Sequence, residues 1–108
     1  MTKPLPHALA AFYAAKNSHD IEGALAQFTT DAIVTDERQT RSGHAEIRAW
    51  LEETTRTYND TAEVLDVEED EGSHLVRARV TGTFPGSPVT LSFRYTLCDG
   101  QIAQLEIG

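Results

Sequence analysis

The spacing of hydrophobic and polar positions changes once along the chain, near Thr61. Before this residue the larger apolar side chains recur every three or four positions, which is typical of amphipathic helices. After it, apolar and polar residues alternate, which is typical of strands that bury one face. We therefore predict helices in the N-terminal half and a sheet in the C-terminal half, an α+β arrangement.

The helical spacing predicts three helices separated by polar breaks. One face of the first helix carries Leu5, Leu9, Phe12 and Tyr13. Asp20 is a suitable N-cap for a short second helix, which we expect to end near Thr29. The third helix opens at Ser42 or Gly43, and its less polar face consists of Ile47, Trp50, Leu51, Thr54 and Tyr58.

The alternating region predicts four strands, at residues 64–68, 74–84, 89–98 and 102–107. The turns between them are short, and Asp99-Gly100 is a strong hairpin signal. Short turns make successive strands antiparallel. Upstream, residues 32–36 read as a brief strand and 37–43 as a polar connection, and we expect a short strand pair in this part of the fold.

Alternation also predicts which side chains of the sheet point inward. Along residues 89–98, the apolar set and the polar set occupy opposite faces. We expect Arg94 to point outward and the following residues to be mostly buried: Val80, Leu91, Phe93, Tyr95 and Leu105.

Composition narrows the function classes. The 108 residues suit a single domain spanning 1–108. Nine basic against 17 acidic residues give a net charge of −8, which argues against nucleic-acid or membrane partners. One cysteine, Cys98, and four scattered histidines offer no metal-ligand spacing, so we expect no metal. We also expect no cofactor and a cytoplasmic location.

Four segments in this order carry a family resemblance: FYAAKNSHD at 12–20, FTTDAIVTD at 28–36, GHAEIRAWL at 43–51 and DGQIAQLE at 99–106. They resemble the nuclear transport factor 2-like superfamily, and most nearly its SnoaL-like branch of polyketide cyclases and ketosteroid isomerase relatives. The resemblance implies a cone-shaped, curved antiparallel sheet packed on three N-terminal helices, in the order α-α-β-α-β-β-β-β. It also implies an apolar pocket at the open end, and a homodimer formed through the convex faces of the sheets.

The resemblance assigns one catalytic candidate. Asp36 falls on the position of the general base in the steroid isomerases, which need a carboxylate and oxyanion donors. The donor positions, however, hold Phe12, Leu51 and Leu91, so this chain is not expected to be a steroid isomerase of that mechanism. Asp36 is also compatible with a solvated turn residue paired with Arg38 or Arg41.

The remaining site candidates are aromatic and aliphatic. The predicted ligand wall consists of Phe12, Trp50, Tyr58, Leu91, Phe93 and Leu105, all of which also suit ordinary core packing. Tyr95 is the weaker candidate for a hydrogen-bond donor, because its polar tip lies on the inward face.

Two functions remain open. The first is an isomerase- or cyclase-type enzyme that uses Asp36 as base on a small lipophilic carbonyl, epoxide or polyketide-like substrate. The second is a non-catalytic ligand-binding or dimerisation module with a vestigial pocket.

Overall fold

The computed structural model describes residues 5–36 and 38–108, which form three helices and six strands. Their bounds are α1 His7–Asn17, α2 Ile21–Leu25, β1 Phe28–Asp36, β2 Gln39–Ser42, α3 Gly43–Tyr58, β3 Thr61–Asp70, β4 Ser73–Thr81, β5 Val89–Cys98 and β6 Gln101–Ile107. The three predicted helices, the short strand pair and the four C-terminal strands are therefore present, and the α+β class is confirmed.

All six strands belong to one sheet in the order β2-β1-β6-β5-β4-β3. The expectation of an antiparallel sheet is wrong for one pair, because β1 runs parallel to β6, with Val34 opposite Leu105. Every other neighbouring pair is antiparallel. No short turn joins β1 to β6. The rule that strands joined by a short turn are antiparallel therefore does not apply to this pair.

The hairpin predicted at Asp99-Gly100 connects β5 to β6. Both turn residues have positive φ, 50° for Asp99 and 80° for Gly100, which is the backbone that a tight turn between twisted strands requires.

Two predicted boundaries are wrong in the segment between α2 and α3. Asp20 caps α2 as expected, since its carboxylate accepts a 3.0 Å hydrogen bond from the backbone N–H of Gly23. The helix nevertheless ends at Leu25, because Phe28 already pairs with Ile102 in the sheet. Part of the predicted connection also forms β2, which pairs along the end of β1.

The predicted alternation is confirmed on both sides of the sheet. Phe93, Tyr95, Val80 and Leu105 are buried, Leu91 is partly buried and Arg94 is exposed. The inward face packs on α1 and α3 through Leu9, Phe12, Tyr13, Ile47, Trp50 and Leu51. In the resulting arrangement α1 lies against β3 and β6, and α3 lies against β1 and β2.

Candidate functional site

A cavity of about 370 Å³ opens between α1, α3 and the concave face of the sheet. Six predicted site residues line it: Asp36, Phe12, Trp50, Tyr58, Leu91 and Phe93. They come from α1, α3, β1 and β5, and are therefore brought together only by the tertiary fold. The volume lies in the range of small-molecule sites, and the wall is mainly apolar with a few polar groups, as such sites usually are.

The other two predicted site residues, Tyr95 and Leu105, do not line this cavity. Both are fully buried in the core. The Tyr95 hydroxyl donates a 2.8 Å hydrogen bond to the hydroxyl of Tyr13. Burial raises the pKa of Tyr95 and of Tyr13 well above the ordinary tyrosine value. Tyr95 thus serves the packing of α1 on the sheet and is not placed to donate to a ligand.

Asp36 stands at the end of β1, partly buried in the cavity wall. Its Oδ2 accepts a 3.1 Å hydrogen bond from the indole Nε1–H of Trp50. The alternative pairing with Arg41 is not what the structure shows, since that guanidinium contacts Gln39 at 2.7 Å and Glu53 at 3.7 Å. The indole holds the carboxylate at the cavity surface, where it can accept a proton from a bound molecule.

A second polar group in the wall was not predicted from the sequence. Lys16 Nζ donates to Asp60 Oδ2 at 2.7 Å, and both residues line the cavity. The signal for Lys16 was its position four residues after Phe12, which places both side chains on one face of α1. Asp60 carried no such signal, because it lies in the connection between α3 and β3.

The loop between β4 and β5 forms part of the cavity wall and was not predicted from the sequence either. Phe84 and Pro85 line the cavity, and the Phe84 ring packs edge-to-face on Tyr58 at 5.7 Å between centroids. A side chain at Gly82 would place its Cβ 2.5 Å from the backbone oxygen of Tyr58. Glycine therefore allows the loop to approach the end of α3 closely.

The three family donor positions are apolar here. Phe12 and Leu91 line the cavity, whereas Leu51 is buried in the core. None of these side chains can donate a hydrogen bond to a developing oxyanion.

Within 5–36 and 38–108, no group of three His, Cys, Asp or Glu side chains is arranged to hold a metal ion. In the same part of the chain, no helix is long and apolar enough to cross a membrane.

A family model for the SnoaL-like domain matches residues 9–105, and the chain belongs to this family. Its fold is that of an NTF2-like protein from Cytophaga hutchinsonii, which is 16% identical, with a TM-score of 0.80 over 99% of this chain and 91% of that one. No curated protein is significantly similar to it in sequence.

Among solved structures, a provisionally named polyketide cyclase from Sinorhizobium meliloti is 38% identical, with a TM-score of 0.93 over 96% of this chain and 95% of that one. Two more distant structures share the fold. A Catenulispora acidiphila protein with a ketosteroid isomerase-like fold, crystallised with trimethylamine, is 16% identical, with a TM-score of 0.84 over 97% of this chain and 86% of that one. SalBIII, an epoxide hydrolase/cyclase-like enzyme of pyran ring formation in salinomycin, is 20% identical, with a TM-score of 0.81 over 93% of this chain and 85% of that one.

Proposed function

We propose that this SnoaL-like domain binds a small, largely apolar molecule in the cavity between α1, α3 and the sheet, and that Asp36 acts on it as a general base. The observation that carries the proposal is the placement of one indole-anchored carboxylate in a mainly apolar wall. A base fixed by a hydrogen bond at the edge of an apolar site is suited to removing a proton from carbon or oxygen.

The reaction class that this arrangement favours is proton transfer during isomerisation or cyclisation. A carboxylate moves a proton without a cofactor, and the proposal includes none. The likeness to the Sinorhizobium meliloti protein, named a polyketide cyclase, supports the same class. The substrate would then be a lipophilic carbonyl, epoxide or polyketide-like molecule small enough for about 370 Å³.

A second candidate function is a non-catalytic binding or dimerisation module. The observation in its favour is that Phe12 and Leu91 stand in the cavity where the steroid isomerases carry donors. Losing one preorganised oxyanion donor typically costs about 100- to 1,000-fold in rate. Steroid isomerase activity is accordingly expected to be absent or trivial.

Hydrogen–deuterium exchange of β-tetralone in heavy water separates the two candidates. This bicyclic ketone is small and lipophilic, and it has acidic C–H bonds beside its carbonyl. Asp36 would accept one of these protons and return a deuteron after exchange with solvent, which proton NMR follows directly. Catalysed exchange in the wild type, lost in Asp36→Asn, is expected for the enzyme. If β-tetralone binds but exchanges only at the rate measured in buffer alone, the result supports the non-catalytic binding module.

Asp31→Asn is the matched control for Asp36→Asn. Asp31 lies on the same strand but is exposed, and its carboxylate accepts a 3.0 Å hydrogen bond from Thr29 outside the cavity. We expect this variant to exchange β-tetralone at the wild-type rate. A β-tetralone exchange rate that is unchanged in Asp36→Asn would contradict the assignment of the base.

A homodimer is part of the proposal. The outward face of β5 presents Thr90, Ser92, Thr96 and Cys98, small or mildly polar side chains suited to packing against a second copy. Neighbouring Arg77 and Arg79 are engaged within their own chain, by Asp66 at 2.6 Å and Glu63 at 3.5 Å. The single-domain organisation over 1–108 and the cytoplasmic location expected from composition belong to the same proposal.

A further inference from the structure

The ion pair between Lys16 and Asp60 lies in the wall of the cavity that also holds Asp36. The side chains of Lys16 and Asp60 are 13% and 10% exposed, so both charges are largely removed from water. Lys16 follows Phe12 by about one turn of α1 and shares its face. The cavity therefore contains a fixed cation as well as the proposed base.

The pair is poorly suited to stabilising the fold. Removing two charges from water carries a large desolvation cost, which their attraction offsets only when the remaining polar atoms are also hydrogen-bonded. Asp60 Oδ1 is buried, and within 5–36 and 38–108 it has no hydrogen-bond partner. Since an apolar pair could fill the same space at lower cost, the position of these charges at the cavity indicates a role in ligand binding.

The geometry leaves hydrogen-bonding capacity on the lysine. An ammonium group has three N–H donors, and the hydrogen bond to Asp60 Oδ2 uses one of them. Asp60 is itself anchored, because its backbone oxygen lies 3.2 Å from His19 Nε2. The carboxylate thereby holds Lys16 Nζ at a defined point of the wall, which makes Asp60 a positioning residue.

We infer that Lys16 Nζ, held by Asp60, is a polar subsite that binds a hydrogen-bond-accepting oxygen of a neutral, otherwise apolar ligand. The charges of Lys16 and Asp60 cancel, and Asp36 leaves one negative charge in the cavity wall. A neutral carbonyl oxygen is thus accepted more readily than a carboxylate. This inference rests on the proposed function, and it supplies from α1 the donor that Phe12 lacks.

The test compares β-tetralone with tetralin, which has the same ring system without the oxygen. Binding of each is measured from the indole N–H NMR signal of Trp50, the only tryptophan, which lies in the cavity wall. Desolvation of the ketone favours tetralin in a purely apolar cavity, so the quantity of interest is the affinity ratio of the two compounds. The double variant Lys16→Met/Asp60→Leu removes the subsite with side chains of similar size.

We expect the β-tetralone/tetralin affinity ratio to fall about tenfold in the double variant, because a hydrogen bond from a charged donor is lost. The control is Glu22→Gln/Arg48→Gln, which neutralises an exposed 2.9 Å ion pair outside the cavity and should leave the ratio unchanged. A ratio equal to wild type in Lys16→Met/Asp60→Leu would overturn the subsite while leaving the proposed function in place. Failure of both compounds to bind the wild type would overturn the proposed function and the subsite together.

A crystal structure of the wild type with β-tetralone tests the subsite without any variant. The ketone oxygen is expected within about 3.2 Å of Lys16 Nζ, the outer range of an N–H···O hydrogen bond. A bound ketone with its oxygen directed away from Lys16 would overturn the inference.

Discussion

The indole Nε1–H of Trp50 donates a 3.1 Å hydrogen bond to Oδ2 of Asp36, across a separation of 14 residues in sequence. One side chain from α3 thus does two things, since it forms part of the apolar wall and orients the single carboxylate at the end of β1. A buried indole N–H usually finds a partner, and here the partner is the proposed base.

Removing the hydrogen bond between Trp50 and Asp36 is expected to slow proton transfer. Trp50→Phe keeps an aromatic ring in the wall but removes the N–H donor. We expect the exchange rate of bound β-tetralone to fall about tenfold, because the carboxylate loses one hydrogen bond that fixes its orientation. The dissociation constant of β-tetralone, measured by calorimetry because the indole signal is lost, should change less. An unchanged exchange rate would show that the indole does not position the base.

Tyr95→Phe should affect stability and leave the cavity function intact. The substitution leaves the buried hydroxyl of Tyr13 without its donor, which costs about 1–3 kcal/mol of the free energy of unfolding. Urea denaturation measures this loss. Because Tyr95 does not line the cavity, β-tetralone affinity and exchange should stay at the wild-type level. If Tyr95→Phe had wild-type stability but no longer catalysed β-tetralone exchange, Tyr95 would belong to the functional site after all.

The same two tyrosines predict an alkaline limit to stability. Burial raises the folded-state pKa of Tyr13 and of Tyr95 above the ordinary value of 10.0. The unfolded chain then releases these protons at a lower pH than the folded chain does. The two phenols therefore contribute fully to the free energy of unfolding below about pH 10, and this contribution is lost as the pH rises further. The free energy of unfolding should fall less steeply above pH 10 in Tyr13→Phe/Tyr95→Phe than in the wild type. Equal slopes would be inconsistent with buried, protonated phenols.

A stability cycle on Lys16 and Asp60 tests whether their pairing is costly to the fold. Lys16→Met alone leaves a buried carboxylate uncompensated and is expected to lower the free energy of unfolding by about 3 kcal/mol. The double variant Lys16→Met/Asp60→Leu should regain this loss and reach at least the wild-type value, because it removes both desolvated charges. Chemical denaturation of the single and double variants provides the measurement. A double variant as unstable as Lys16→Met would mean that the pair supports the fold.

The proposed homodimer predicts a species of twice the chain mass of 11.9 kDa in sedimentation velocity at micromolar concentration. Thr96→Glu places a charge on the outward face of β5, where two copies would bury it, and should shift the protein to the monomer. Thr57→Glu, on an exposed position of α3, is the control and should sediment like the wild type. A wild-type monomer at these concentrations would contradict the proposal.

Most helices and strands, and the faces that they bury, were predictable from residues close in sequence, whereas the end of α2 and the strand β2 were not. Periodicity decided that Phe93 and Tyr95 point inward and Arg94 outward, because side-chain direction follows directly from strand geometry. Local chemistry was equally sufficient for the cap at Asp20 and the hairpin at Asp99-Gly100, which depend on residues close in sequence.

Which inward residues line the cavity and which fill the core depends on how α1 and α3 pack on the sheet. Alternation predicts that Phe93 and Tyr95 both point inward. The structure distinguishes them, since Phe93 lines the cavity whereas the Tyr95 hydroxyl is hydrogen-bonded to Tyr13 of α1. The parallel pairing of β1 with β6 and the meeting of Lys16 with Asp60, 44 residues apart, likewise follow from how helices and sheet pack. Such contacts join segments distant in sequence, and local periodicity carries no information about the distance between them.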